Sequence, residues 1–343
     1  MIITTTSTST IIIIIIIIMT NYYLYYISTT MKCDDNSRSL FDAHCHLQLD
    51  PIYSNIDDVI SKAKDHGIIT ISVCGVKVGN DWERVSAIAS KYSDIIIPSY
   101  GIHPWYIQSD DNDSHSGKCC YSNDLCPEIS GTDQSILSDD WESKLRELLA
   151  KNTGAHVGEV GLDKNIKRRV DMNIQIDILR RHIRIARHYS RVLSLHCVGC
   201  WGKLLNILKD ELGKNNDDSS SNVSGILLHS CNSLPHSMLK DYSTLPVPTY
   251  FSLNGKVSQT NEDMKRMIKA IPSQSLLIET DSPDQLIPSL AKDGIQFNEP
   301  FYLIYTAEII AEILGMSTTE LSKLTLTNAN NLFKLSIENN ENS

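Results

Sequence analysis

Two hydrophobic rhythms alternate along this chain. Short β-branched or apolar runs occur at Leu40–Cys45, Ile68–Cys74, Ile95–Gly101, Ala155–Val160, Val192–His196, Ile226–His229, Thr249–Ser252 and Ser275–Glu279, and each reads as a strand. Between them lie stretches with helical periodicity. Ile176, Leu179, Ile183 and Ala186 fall at i, i+3, i+7 and i+10, one face of a 3.6-residue period. Leu303, Ala307, Ile310 and Leu314 repeat the pattern, with Gly315 where a helix cap is expected. Strands that alternate with helices predict an α/β fold with a parallel sheet, and eight of them predict a single-domain (β/α)8 TIM barrel over residues 39–337. A doubly wound open sheet is the alternative; the positions of the polar residues favour the barrel.

Two polar insertions interrupt the rhythm. Residues 108–140 are rich in Asp, Asn, Ser and Gly, and residues 213–224 read GKNNDDSSSNVS; both predict exposed loops. Residues 1–38 form a third irregular region. No charged side chain occurs in residues 1–31, which contain the homopolymer Ile11–Ile18. The unbroken apolar run Ile11–Met19 is about half the ~18–20 residues that span a bilayer. No basic residue precedes it, as a secretory signal requires, and Lys32 is the first basic residue of the chain. A disordered, low-complexity N-terminal extension is expected, with membrane or organelle targeting as the alternative.

Charge and cysteine usage narrow the function classes. Among 343 residues, 41 acidic side chains against 31 Lys and Arg give a net charge of −10. That balance argues against a broad basic surface coating nucleic acid, but not against an enzyme gripping a few phosphates through metal ions. Nine scattered cysteines in a chain too large to need disulfide staples point to a reduced intracellular compartment, cytoplasmic or nuclear.

The chemistry collects at the C-terminal ends of the proposed strands. They close on Asp42-Ala43-His44-Cys45-His46, Gly101-Ile102-His103-Pro104, Gly158-Glu159-Val160-Gly161-Leu162-Asp163, Leu195-His196-Cys197, Leu228-His229-Ser230 and Glu279-Thr280-Asp281-Ser282-Pro283. One site per βα unit places these groups in a ring at one barrel mouth, with Cys74 and Ser252 at the two remaining strand ends. His44 and His46 share a strand face and can deliver two imidazoles to one ion. Glu159 can bridge two ions through its two oxygens, His196 and His229 can complete the second ion's shell, and Asp281 can bind the first and act as general base. Asp42, two residues before His44, is expected to orient a ligand histidine. Singly, each has a structural reading: a packing H-x-H, a hydrogen-bonded core histidine, a carboxylate capping a helix. Such a reading must hold at five strand ends together, where it becomes weak.

The set DAHCHL, GIHPW, VGEVGLD, LHC, LLHS, IETDSP and the closing NEPFYL…TNANNLF resembles the TatD family of metal-dependent deoxyribonucleases, within the amidohydrolase-like barrels, over roughly residues 40–335. The resemblance implies a (β/α)8 barrel holding two divalent metal ions (Mg²⁺, Mn²⁺ or Zn²⁺). It also implies deoxyribonuclease or 3′-to-5′ exonuclease activity, with DNA, single-stranded or at 3′ ends, as substrate. Carried over by matching motif, the metal ligands would be His44, His46, Glu159, His196, His229 and Asp281, and His103 would contact substrate phosphate.

Some positions depart from the family pattern. Lys164 stands where an aromatic is common, Cys197-Val198-Gly199-Cys200 follows His196 where an Arg is frequent, and His229-Ser230-Cys231-Asn232-Ser233 replaces His-x-Phe-Ser-Gly. None removes a ligand, but together they alter the substrate-facing shell and mark a divergent branch. Hydrolysis of a carboxyl ester, lactone or amide is therefore carried as an alternative, as is a non-catalytic barrel used as an interaction partner. Lys164, Lys167, Arg168 and Arg169 follow Glu159 closely and are expected at the mouth, whereas Arg180–Arg191 are expected to line a solvent-facing helix. Cys197 and Cys200 read as close packing in a βα turn rather than a redox pair. His115 with Cys119, Cys120 and Cys126 lacks the spacing of a zinc knot.

Overall fold

The structure, a computed structural model, describes residues 39–107, 140–213, 222–257 and 260–341. The expectations for the leader 1–38, for most of the two polar insertions and for the His115/Cys119/Cys120/Cys126 group lie outside the described residues.

Eight parallel strands form one sheet in sequence order: β1 (Leu40–Cys45), β2 (Ile68–Cys74), β3 (Ile96–Tyr100), β4 (His156–Asp163), β5 (Val192–Val198), β6 (Gly225–Leu228), β7 (Thr249–Leu253) and β8 (Leu276–Ile278). The described helices between and after them are α1 (Ile56–Asp65), α2 (Asn80–Lys91), α3 (Asp140–Lys151), α4 (Met172–His188), α5 (Trp201–Leu212), α6 (Leu239–Ser243), α7 (Glu262–Ala270), α8 (Pro288–Lys292), α9 (Leu303–Leu314) and α10 (Thr318–Glu341). This is the (β/α)8 barrel expected from the alternation. No single described helix is long and apolar enough to cross a membrane.

Closure comes from the segment after β8. Asp281 N–H donates to His44 O at 2.9 Å, and His46 N–H donates to Ser282 O at 2.7 Å. Asp42 accepts both the backbone N–H (2.9 Å) and the hydroxyl (2.6 Å) of Thr280. The expectation that Asp42 orients a ligand histidine holds only at the backbone, where Oδ1 accepts from His44 N–H at 3.5 Å. The shorter bonds of its carboxylate fix Thr280.

β1 and β2 match the expected strands to the residue, while β4 runs three residues beyond the expected Val160. Glycines explain the extension. A Cβ on Gly161 would lie 1.9 Å from His196 O, and one on Gly158 (φ +134°) would lie 2.5 Å from Ser194 O. Bare backbone at both positions lets β4 continue against β5, pairing Gly161 with His196 and Asp163 with Val198.

The main core lies between strands and helices. It includes Ile71, Val73, Leu145, Leu179, Ile183, Leu204, Phe251 and Ile310, all essentially inaccessible. A second cluster joins Phe41, Ala43, Val192, Leu227, Tyr250 and Leu277 to Ala329, Leu332 and Phe333 of α10, which packs against β1 and β8. Gly315 ends α9 in the left-handed conformation (φ +71°), as its position predicts. The arginines of α4 are tied rather than free: Arg180 and Arg184 pair with Glu211, Arg187 donates to Glu211 O and Arg181 pairs with Glu142; Arg191, just after the helix, is buried.

One buried histidine of α4 ties stability to pH. His182 stacks on Trp141 (centroids 4.5 Å apart), and its Nδ1–H donates to Ile178 O at 2.8 Å. Burial pushes its pKa down to about 4 from 6.5. A base whose folded pKa is depressed is protonated more readily in the unfolded chain. Its stabilisation is present above about pH 6.5 and is lost as pH falls toward 4, by about 1.4 kcal/mol per pH unit. His182→Asn keeps a donor for Ile178 O but takes up no proton. Denaturant unfolding of metal-free protein between pH 7 and pH 5 should show the variant losing about 2 kcal/mol less than wild type; parallel slopes would refute this account.

Candidate metal centre

Six of the eight strands deliver a chemical group within their last residues, midway or just beyond their ends. His44 lies in β1 and His46 just after it, His103 follows β3, Glu159 lies within β4, His196 lies within β5, His229 follows β6 and Asp281 follows β8. All but His196 are buried, and His196 is nearly so. The structure brings all seven together around Glu159.

The two oxygens of Glu159 face different sets of donors. Oε2 lies 3.5 Å from His44 Nε2 and 3.2 Å from His46 Nε2; those two nitrogens are 3.3 Å apart, and Asp281 Oδ1 is 3.4 Å from His46 Nε2. Oε1 lies 2.6 Å from His229 Nε2, 2.9 Å from His196 Nδ1 and 3.4 Å from His103 Nε2, with His196 Nδ1 and His229 Nε2 3.3 Å apart. Ligands about 2.1 Å from one tetrahedral ion stand about 3.4 Å from each other. Six of these separations are close to that spacing, while His229 and His196 approach Oε1 more closely. Three groups of mutually close donors are present: His44, His46 and Glu159; His44, His229 and Asp281; and His103, Glu159 and His196.

Electrostatics point the same way. Burial opposes ionising Glu159, but the imidazoles of His229, His103 and His196 outweigh it and hold the carboxyl well below its ordinary range. Asp281 is also lowered, with burial overcome mainly by the hydrogen bond from His46. Burial likewise opposes charging His46 and His229, yet Asp281 and Glu159 raise the first well above the imidazole range, and Glu159 with Glu279 raises the second to about 9. A water-poor pocket that attracts protons this strongly also suits divalent cations.

The far nitrogen of each ring sorts the histidines. His46 Nδ1–H donates to Cys74 O at 2.7 Å, and His44 Nδ1 lies 3.0 Å from Ser194 Oγ and 3.3 Å from Cys74 Sγ. His229 Nδ1 faces Glu279 Oε1, and His196 Nε2 faces Asp163 Oδ2, both at 3.6 Å. An acceptor at the far nitrogen leaves the near one a lone pair for an ion. His103 is wired in the opposite sense. Trp105 N–H donates to its Nδ1 at 3.1 Å, so Nδ1 is bare and Nε2 carries the proton. Burial lowers its pKa to about 3, which keeps it a neutral N–H donor. The residues present therefore fit a pair of cations with a hydrogen-bond donor beside them.

Sequence reasoning missed several supports. Ser194 and Glu279 lie two residues before His196 and Asp281, a strand spacing that could have flagged them. Ser230 donates its hydroxyl toward Glu279 Oε1 (2.9 Å) and Asp281 Oδ2 (3.0 Å), and accepts from Asn254 Nδ2 (2.8 Å). Trp105 Nε1–H donates to Asp163 Oδ2 at 2.7 Å. Ser252, expected in the ring, is buried without a donor or acceptor for Oγ, and Cys74 contributes through its carbonyl and thiol.

The family model for TatD related DNases matches residues 41–334. Human deoxyribonuclease TATDN3 is 24% identical over 301 residues, covering 86% of this chain and 94% of that protein. The Bacillus subtilis metal-dependent hydrolase YabD is 26% identical over 297 residues, covering 86% and 99%. Among solved structures, the TatD homolog YJJV of Escherichia coli K12 superposes with a TM-score of 0.68 at 20% identity, covering 88% and 99%. A TatD family hydrolase of Entamoeba histolytica gives 0.63 at 18% identity, covering 86% and 98%.

Glu279 offers a test of the outer wiring. Glu279→Gln preserves shape but removes the charge facing His229 Nδ1. Divalent-metal affinity measured by calorimetry should fall about tenfold or more while the barrel stays folded; unchanged affinity would show that His229 needs no such partner.

Proposed function

This chain belongs to the TatD related DNase family, and from that premise we propose that it is a metal-dependent phosphodiesterase cutting DNA, single-stranded or at 3′ ends. The observation that carries the reading is the buried Glu159, whose two oxygens divide five imidazoles into two donor sets at ligand-to-ligand spacing. By their distances, His44, His46, Asp281 and Glu159 Oε2 would hold one ion; Glu159 Oε1, His196 and His229 would hold the other. Two divalent ions (Mg²⁺, Mn²⁺ or Zn²⁺) held there would supply acidification of a water and neutralisation of charge on the phosphate.

The chain's own groups perform the rest. Asp281 is held through Oδ2 by Ser230 with Oδ1 turned toward His46, and its carboxylate would both hold an ion and accept the proton of the attacking water. His103 presents Nε2–H, a donor suited to a phosphate oxygen as charge builds on it. Lys164, Lys167, Arg168 and Arg169 are exposed in the turn following β4, where an anionic strand would arrive. That basic turn favours a phosphodiester over a carboxyl ester, lactone or amide.

Purified protein supplied with each metal in turn should shorten a single-stranded oligodeoxynucleotide. Glu159→Gln should cut the rate at least about a hundredfold while the circular dichroism spectrum persists. Absence of DNA cleavage under every metal, alongside turnover of a carboxyl ester or lactone, would overturn the phosphodiester assignment. A paired comparison tests the roles of the histidines. His46→Ala should lose bound metal by elemental analysis, whereas His103→Ala should keep it and lose rate by about a hundredfold. Equal metal loss in both would make His103 a ligand instead.

A further inference from the structure

Trp105 stands out on the rim of this site. Among the described residues, the exposed large hydrophobic side chains are Ile69 and Trp105, at 42% and 37%. Ile69 is the second residue of β2, toward the opposite end of the barrel. Trp105 lies two residues beyond His103, in the short 3₁₀ turn Pro104–Tyr106. Exposure of a single apolar side chain needs no explanation in general. This one is different because it is fixed at two points. Its backbone N–H is held by His103 Nδ1 at 3.1 Å, and its indole Nε1–H by Asp163 Oδ2 at 2.7 Å. Asp163 is itself buried and is held by other contacts, accepting from Asn165 N–H at 2.7 Å while facing His196. The indole ring stands perpendicular to the His103 ring, with centroids 5.2 Å apart.

A rigid aromatic next to the proposed phosphate donor has a definite use. A nucleobase attached to the phosphate at His103 must lie within a few ångströms of that group, and stacking on an aromatic suits every base because each has a π-face. Exposed Lys164, directly after Asp163, places a positive charge on the same rim. We propose that Trp105 is the stacking platform for the nucleobase flanking the bond to be cut, and that it makes the enzyme discriminate base-bearing from abasic strands. The inference rests on the nuclease reading above and adds the part of the substrate that the metal centre does not recognise.

The test compares wild type, Trp105→Phe and Trp105→Leu on two single-stranded oligodeoxynucleotides, identical except that one carries a tetrahydrofuran abasic residue at the cleaved position. Wild type should show kcat/KM about tenfold higher for the base-bearing strand, carried mainly by KM. Trp105→Phe keeps an aromatic face but loses the hydrogen bond to Asp163, and should retain most of that preference. Trp105→Leu should show none. If Trp105 acted only by positioning Asp163, the Phe and Leu variants would be equally impaired on both strands, which would overturn the proposal; so would a wild type indifferent to the missing base.

Fluorescence separates this outcome from failure of the nuclease reading. Trp82, Trp141 and Trp201 are buried, so quenching lost in Trp105→Phe reports the exposed indole. With chelator present, a base-bearing oligonucleotide should quench wild-type emission and a wholly abasic one should not. If no strand is cleaved by any of the proteins, the nuclease reading falls. Quenching would still support Trp105 as a base platform, and its absence would overturn it.

Discussion

Closure of the barrel is the constraint on which the site depends. The hydrogen bonds from Asp281 N–H to His44 O and from His46 N–H to Ser282 O join the segments that leave the first and the last strand. Asp42 reinforces the seam by holding Thr280 through both its N–H and its hydroxyl. Asp281 itself adopts φ +57°, a conformation that costs energy outside glycine and persists only where surrounding bonds fix it. The seam does so, and the result is a carboxylate turned onto the two imidazoles of β1. Without closure the donors of β1 and β8 would belong to separate strand ends.

Inside that frame, charge is organised around one buried carboxylate. Glu159 is stable as an anion only because imidazoles surround it, and His46 and His229 hold positive charge only because Glu159 and Asp281 are ionised. Such mutual dependence is costly in a dry pocket unless every member is matched. The outer partners complete the matching: Ser194, the Cys74 carbonyl, Asp163 and Glu279 each address the far nitrogen of one ring. His103 alone among the five receives a backbone N–H there, which separates its chemistry from that of its neighbours although all five are the same residue type.

Departures from the family's pattern also find local roles. Ser230 takes the left-handed conformation (φ +45°) and spans Glu279, Asp281 and Asn254, while Asn232 bonds Asn254 at 2.9 Å. Cys197 and Cys200 are buried, and burial raises both thiols, the first to beyond the range where a thiolate is useful. Cys197, Cys200 and Cys231 all belong to the main apolar core, so these changes reach from the surroundings of the site into the packing beneath it.

Much of this architecture is local, and so is written in the chain. The alternation of β-branched runs with helical periods determined eight βα units, because burial of each strand and helix face is a property of a few consecutive residues. The polar groups that end those strands determined which side chains gather at the mouth. Where local pattern misleads, a neighbour is responsible: Gly158 and Gly161 look like a strand end but are gaps left for β5, and Asp42 shares a nominal face with His44 yet serves Thr280. Which nitrogen of each histidine is free, how Ser194 and Glu279 support the rings, and that Trp105 is pinned yet exposed were decided only by the tertiary structure. These depend on contacts between residues dozens to hundreds of positions apart, and a linear pattern carries no record of what a side chain will face across a closed barrel.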